Sequence, residues 1–172
     1  MPVWDSYRTV YGAELRAAAR EFLDHGWPVV EESDDRLMLV TGRTLDVLEV
    51  PAAIGRGVCA QLRAADIVVP VAGTPTGSWW YPVTPGAVLP AVLQGVAGVV
   101  LHGVGDAVAA PPSQVPDGWV HWRVTPAACD YGVAPAALIF SAAATAVALR
   151  ADDDAHPGAQ RPAGVVAVGM RS

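Results

Sequence analysis

The chain has 172 residues, of which 52% are hydrophobic and 16% are charged. This composition predicts one folded domain, or one domain with a small appended module, and excludes general disorder. The formal net charge is −6, and all 11 basic residues are arginine, which argues against a strongly basic nucleic-acid binder. Cys59 and Cys129 are far apart and are expected to be reduced thiols. No apolar stretch is long enough to span a bilayer, so a cytoplasmic protein without a membrane partner is expected.

The first part of the chain is predicted to contain a helix, three strands and a second helix. Apolar residues at helical spacing indicate the helices, and β-rich runs with period-2 alternation indicate the strands. Their predicted bounds, in chain order, are residues 13–24, 27–30, 37–40, 45–50 and 52–64. Gly26 suits the position just past the first helix. The acidic residues 31–35 are expected to form a solvated loop.

The second part is predicted to contain mainly strands and then a long helix. Strands are expected at residues 67–71, 78–81, 99–102, 107–110 and 119–123, and the helix at residues 135–150. A Gly-rich turn at residues 103–106 would join the third and fourth of these strands as a hairpin, and a short helix is expected within residues 85–96. The order of helices and strands predicts an α+β fold with a mixed or mainly antiparallel sheet flanked by helices.

The last helix is apolar nearly all round, which predicts that it is buried or pairs with another chain. Three aspartates follow it at residues 152–154. They are expected to lie outside the helix, because negative charge is unfavourable at a helix C-terminus. The chain is therefore divided into a domain of residues 1–150 and a tail of residues 151–172, in which residues 165–168 could add an edge strand.

The strand at residues 45–50 contains two carboxylates, although Asp and Glu are depleted in strands. Alternation puts Glu49 on one face with Leu45 and Val47. It puts Asp46 on the opposite face, which also holds Leu48 and Val50. This strand is the first place to look for a functional site.

Three separated segments resemble the bifunctional DNA primase/polymerase N-terminal domain family. The first helix runs into the sequence HGWPVV, residues 25–30, like the family's opening helix and "GWPV" strand. The sequence TGRTLDVLEVP, residues 41–51, is similar to the family's first carboxylate strand. DAVAAPPS, residues 106–113, followed by GWVHW, residues 118–122, is similar to its "PPS…G..Y.W" ending. The resemblance covers residues 7–122.

This resemblance implies an RRM-like catalytic sheet with an N-terminal α/β module. Active members join nucleotides with divalent metals: a first strand supplies two acids, a second a Ser-x-His that contacts phosphate, and a third another acid. Mg²⁺ or Mn²⁺ held by such carboxylates activates the attacking hydroxyl and neutralises the triphosphate.

The acids of the family pattern are only partly present in this chain. Asp46 matches the first acid, whereas Leu48 occupies the position of the second and Glu49 follows it. Both carboxylates could meet one metal ion only if a bulge or strand end re-aims one of them. The third acid should fall near Gly98 or Val100, neither of which is ionisable. Asp106 is nearby, in the predicted turn.

The nucleotide-contacting motif is also incomplete. Ser78 matches its serine, but Trp79 or Trp80 stands at the position of the histidine. His102 could replace the missing phosphate contact, and Trp79 could stack on a base as aromatics of RRM-type sheets do. A core tryptophan and a structural histidine are the plainer interpretations. Arg43 completes the candidate nucleotide-binding set.

The candidate catalytic residues are therefore Asp46, Glu49 and Asp106, with Asp46 and Glu49 as the metal pair for Mg²⁺ or Mn²⁺ in an active enzyme. The plainer interpretation is that one carboxylate caps the turn or pairs with Arg43 and the other faces solvent. The turn at residues 103–106 lacks a Walker lysine and does not lead into a helix, so it is not expected to bind phosphate.

Three functional hypotheses follow. The first is a divergent primase/polymerase-like domain that has lost most of its catalytic set and retains nucleotide or nucleic-acid binding. The second is an active metal-dependent nucleotidyltransferase with rearranged acids. The third is an interaction domain that dimerises through the helix of residues 135–149. A binding domain would need an open cleft on which Arg36, Arg43 or Arg123 converge.

Overall fold

The computed structural model describes residues 3–155, with side chains from residue 12 onward. The helices are α1 (Val3–Asp24), α2 (Ala52–Ala64) and α3 (Ala136–Ala155), and a 3-10 turn spans Pro126–Cys129. The strands are β1 (Val29–Ser33), β2 (Arg36–Val40), β3 (Asp46–Pro51), β4 (Val71–Gly73), β5 (Ser78–Val83), β6 (Val100–His102), β7 (Ala107–Ala110), β8 (Gln114–Val115), β9 (Gly118–Trp119) and β10 (His121–Val124).

These strands form a five-stranded sheet in the order β10-β4-β5-β3-β6, a three-stranded sheet β1-β2-β7 and a small pair β8-β9. All pairings between them are antiparallel. The predicted α+β class with a mainly antiparallel sheet is therefore confirmed.

The five-stranded sheet is covered on both faces. Leu48, Val50 and Tyr81 belong to a core shared with α2 and α3. Val47 and Trp80 point the other way, into a second core shared with α1 and the three-stranded sheet. The period-2 alternation of residues 45–50 thus assigned the faces of β3 correctly. The structure also explains why so many β3 residues are apolar, since the strand is sandwiched between two cores.

The chain passes between the two sheets at two neighbouring crossings, residues 41–45 and residues 103–106. The Thr41 hydroxyl donates to the carbonyl oxygen of Gly103 at 2.6 Å, and the Thr41 N–H donates to that of Asp106 at 3.1 Å. Gly42, with φ +102°, lies so close to Val104 that a Cβ would fall 2.4 Å from its Cα. The predicted hairpin of residues 99–110 is therefore wrong, because β6 pairs with β3 and β7 pairs with β2.

One predicted loop and one predicted helix also differ from the structure. Glu31, Glu32 and Ser33 belong to β1, and Glu31 and Ser33 pair with β2, so the acidic run is mostly strand rather than loop. The reason is that β1 is an edge strand with outward-facing charges, which edge strands tolerate. Residues 85–96 form turns and no helix, because Pro90 and the positive-φ residues Gly86 and Gly95 interrupt any helical run.

The helix α3 packs against α2 within the same chain. Its buried residues are Ala136, Ile139, Phe140, Ala142, Ala143 and Ala146. The α2 residue Gln61 donates a side-chain hydrogen bond to the Ala142 carbonyl oxygen at 2.9 Å. The predicted burial of this helix is confirmed, while pairing with a second chain stays a prediction.

The three aspartates at residues 152–154 lie inside α3, contrary to prediction. They are exposed, and an exposed charge at a helix end costs only about 0.3–1 kcal/mol, which the surrounding alanines offset. The predicted edge strand at residues 165–168 lies outside the described residues. Cys59 and Cys129 are free thiols, and none of the described helices has the length and apolar character needed to cross a membrane.

Candidate active-site cleft

A cleft of about 290 Å³ lies between the five-stranded sheet and β7 of the three-stranded sheet. Neighbouring strands of the larger sheet deliver its polar groups: β3 supplies Glu49, β5 supplies Trp80 and β6 supplies His102. The antiparallel register places Glu49 opposite Trp80 and Val47 opposite His102. Ser78 shares this face, two positions before Trp80. The antiparallel pairing of the three strands thus assembles one polar cluster.

The Glu49 carboxylate is held by two internal donors. The Ser78 hydroxyl donates to Oε1 at 2.5 Å, and His102 Nε2 lies 2.8 Å from Oε2. An ionised carboxylate can only accept, so Nε2 is the nitrogen that carries the proton. The hydrogen bond from His102 lowers the pKa of Glu49 below its ordinary value, and Ser78 contributes in the same direction, while partial burial opposes the shift.

Further polar groups extend this cluster in both directions. The Thr74 hydroxyl lies 2.8 Å from that of Ser78, and Thr76 lies 2.9 Å from Thr74. On the other side, His102 Nδ1 is 3.8 Å from Asp106 Oδ2, and the Asp106 side chain is largely exposed. Because the serine bonds to the carboxylate and not to the imidazole, the cluster does not have the geometry of a Ser-His-acid triad.

Asp46 is separate from this cluster. It is 3% exposed and lies on the face of β3 opposite Glu49, where its Oδ2 accepts the Gly86 N–H at 2.9 Å. Its Oδ1 has no hydrogen-bond partner among the described residues. The β3–β5 register runs without a bulge from Asp46 to Pro51. The structure therefore does not bring Asp46 and Glu49 together as a metal pair.

A family model described as bifunctional DNA primase/polymerase, N-terminal, matches residues 4–138. The chain belongs to this family. Membership indicates a primase/polymerase-like function. Comparisons with curated proteins and with solved structures found no match.

On β3 of this primase/polymerase domain, Val47 and Glu49 lie on the face that reaches the cleft, whereas Asp46 and Leu48 lie on the opposite face. The cleft face of β3 therefore holds one carboxylate. On β6, Val100 pairs with Glu49 and His102 pairs with Val47. The cleft side of β6 therefore presents a valine and a histidine.

The remaining predicted residues of the primase/polymerase domain lie away from the cleft. Trp79 is 8% exposed, and the Arg123 guanidinium carbon lies 4.1 Å from its ring centroid. Gly55 of α2 also lies close to the ring, and the buried ring is therefore not open to a base. Arg43 is exposed on the crossing before β3. Arg36 pairs with Glu32 at 3.1 Å, so Arg36, Arg43 and Arg123 do not converge on the cleft.

Sequence reasoning missed the two threonines that line the cleft, Thr74 and Thr76. Trp80 was considered from the sequence, and the structure places it on the cleft face, two positions after Ser78. The two threonines lie on the β4–β5 turn. Their position depends on the pairing of β4 with β5, which no local pattern reveals.

The cleft offers few ligands for Mg²⁺ or Mn²⁺. Hard divalent cations need several oxygen ligands, usually including more than one carboxylate. Glu49 is the single carboxylate among the described residues that line the cleft, and Asp46 points away. Within residues 3–155, no group of three or more His, Cys, Asp or Glu is arranged to hold a metal ion. The cleft residues do not fit the family's metal centre.

The Glu49–His102 contact predicts a pH-dependent stability. The pKa of Glu49 in the folded state is lowered from 4.5. The contribution of this carboxylate to folding stability is therefore fully present above pH 4.5, and it is lost as the pH falls through the lowered pKa. Over this pH range we expect the free energy of unfolding of the wild type to fall by at most about 1 kcal/mol more than that of Glu49→Gln, since the pair is partly exposed. Urea unfolding at neutral and acidic pH measures the difference. Parallel pH profiles for the two proteins would contradict the prediction.

Proposed function

We propose that this chain is a catalytically degenerate primase/polymerase domain, which does not join nucleotides and acts through binding. The proposal rests on one observation: Glu49 is the single carboxylate on the cleft face of β3, and it already accepts hydrogen bonds from Ser78 and His102. Two-metal phosphoryl transfer requires several carboxylates that coordinate the cations and position the triphosphate. One carboxylate provides too few ligands for two cations.

The electrostatics of the cleft agree with this proposal. A triphosphate needs clustered cations, whereas the described residues that line the cleft include no arginine. The polar groups available there are a carboxylate, a histidine and threonine hydroxyls. These groups suit the base and sugar of a nucleoside better than its phosphates, and a volume of about 290 Å³ is at the lower end of small-molecule sites.

Dimerisation through α3 has less support as the main function. The buried side of α3 already packs on α2. The residues on its outer side include Ala137, Ser141 and Thr145, which are small, and Leu149 is the one large apolar side chain that α3 exposes. Small side chains remove little apolar surface from water when they associate.

A primer-extension assay with Mg²⁺ and with Mn²⁺ tests the proposal. We expect no nucleotide incorporation above the no-protein background, and no metal-dependent heat when a deoxynucleoside triphosphate is titrated into the protein in a calorimeter. An active polymerase run on the same template controls the assay.

Metal-dependent incorporation that disappears in Glu49→Ala would overturn the proposal. The Asp46→Asn variant then separates the alternatives. Loss of that incorporation in a correctly folded Asp46→Asn protein would favour an active enzyme with rearranged acids. Incorporation that survives in both variants would indicate a contaminating polymerase and would agree with the proposal that the domain is catalytically degenerate.

A further inference from the structure

A second cavity, of about 570 Å³, lies between α1 and the segment that runs from β9 into the 3-10 turn. Its volume falls in the range typical of small-molecule sites. The walls are mainly aromatic rings and prolines, and the residues that matter here are Glu21, Phe22, Pro112, Trp119, Trp122 and Tyr131. None of these six residues lines the cleft, and Val120 is the one described residue that lines both, so the cavity is a separate candidate site.

The aromatic wall is fixed in place before any ligand arrives. Trp122 stacks edge-on against Phe22, with ring centroids 6.1 Å apart. Tyr131 is stacked on His25 at 3.7 Å, and the Trp27 indole N–H donates to the Tyr131 carbonyl oxygen at 3.1 Å. Rigid, preformed walls reduce the entropy that a ligand must lose on binding.

The backbone beside this wall adopts an unusual conformation. Asp130 and Tyr131 are consecutive non-glycine residues with φ values of +49° and +56°. Such conformations are costly for L-residues and persist where the surrounding structure holds them. Here they turn the Tyr131 ring toward the cavity and bring its hydroxyl to Glu21.

The charge at the cavity is negative. Glu21 lies at its edge, and the Tyr131 hydroxyl donates to Glu21 Oε1. Among the described residues that line the cavity there is no arginine, and His121 is the single basic side chain. The faces of the tryptophan and tyrosine rings carry partial negative charge. Carboxylate and ring faces therefore all favour a positive charge.

We infer that this cavity binds an organic cation, namely an ammonium or guanidinium group carried on an apolar body. The apolar body occupies the space between Phe22, Pro112 and Trp122. The cationic group lies against Trp119 or Tyr131 and within the field of Glu21. A free amine and an arginine side chain of a peptide share this chemistry. The inference does not depend on the cleft or on what the cleft binds.

Calorimetric titration of the full chain at about pH 8, where ordinary histidines are neutral, tests the inference. The probe is benzyltrimethylammonium, and benzyl alcohol is the uncharged comparison of similar shape. We expect the cation to bind at least about fivefold more tightly than the alcohol. A second titration with acetyl-arginine-amide distinguishes a peptide-borne guanidinium from a free small cation. Binding of either cation supports the site.

Two variants assign the effect to the cavity. Glu21→Gln is expected to weaken binding of the cation about fivefold and to leave the affinity for benzyl alcohol unchanged. Glu14→Gln removes the same charge about two turns earlier on the same helix, at an exposed residue that does not line the cavity. It is expected to leave both affinities unchanged. Trp119→Ala changes a half-exposed side chain and is expected to weaken binding of the cation without unfolding the protein. Circular dichroism verifies that the variant is folded.

Three results would overturn the inference. They are the absence of binding by both cations, equal affinity for benzyltrimethylammonium and benzyl alcohol, and equal weakening by Glu14→Gln and Glu21→Gln. The last would show that overall negative charge, and not the cavity, attracts the cation.

Discussion

Replacement of Trp80 by alanine is expected to lower the free energy of unfolding by about 3–5 kcal/mol. Trp80 is 1% exposed and forms the floor of the cleft. Its ring meets that of Trp122 edge-on, with centroids 5.3 Å apart, and Trp122 in turn contacts Trp27 at 6.3 Å. Removal of the indole would open a cavity between the two sheets, which the rigid strands around it cannot close. Urea unfolding measures the loss.

Trp119→Ala is the matched control for this prediction, because it makes the same chemical change at a side chain that is 49% exposed. We expect Trp119→Ala to lower the free energy of unfolding clearly less than Trp80→Ala does, since the exposed half of the ring contributes little apolar burial. Equal losses for the two variants would contradict the assignment of Trp80 to the core.

The burial of Trp80 also bears on the proposed loss of catalysis. This residue stands two positions after Ser78, where the resemblance to the family implies a histidine. A polar imidazole at a site that is 1% exposed would need buried hydrogen-bond partners. The close packing of the two sheets at this point therefore favours an apolar ring over a histidine.

Local sequence patterns predicted much of the fold. The helix at residues 52–64 was predicted with the bounds that the structure gives, because Pro51 marks its start and its apolar residues recur at helical spacing. The two faces of β3 were also predicted, because the strand is regular. What the sequence did not reveal was the partner of each strand. The Gly-rich turn at residues 103–106 favours a hairpin locally, whereas contacts with Thr41 and Gly42, about 60 residues earlier, direct it to another sheet.

The candidate site was predicted in part for the same reason. Glu49 contacts Ser78 and His102, and Asp106 lies 3.8 Å from His102, while the functional roles of these residues stay predictions. Asp46 was matched to the family by its place in the sequence, and the face of the strand puts it elsewhere. The cation cavity has no counterpart in the sequence reasoning. Its walls come from α1, the Pro-Pro segment and the 3-10 turn, which only the folded chain brings together.

A single methyl group on α2 is expected to destabilise the domain more than its effect on helix propensity suggests. Gly55 faces Trp79 so closely that a Cβ would fall 2.6 Å from the ring. In an open helix, Gly→Ala stabilises by up to about 1 kcal/mol. Here Trp79 has little room to move aside, since it is 8% exposed and belongs to the core shared with α2 and α3. We expect Gly55→Ala to lower the free energy of unfolding by about 1–3 kcal/mol, the usual cost of overpacking.

Gly12→Ala on α1 isolates the packing effect from helix propensity. Among the described side chains, the nearest atom to a Cβ at Gly12 belongs to the flexible Arg16 guanidinium, at 3.4 Å, so the methyl group can be accommodated. We expect this variant to be neutral or more stable than the wild type by up to about 1 kcal/mol. Opposite signs for the two variants in urea unfolding would show that the contact between α2 and Trp79 determines the outcome. Stabilisation by both would mean that Trp79 can repack, and its ring could then become available to a ligand.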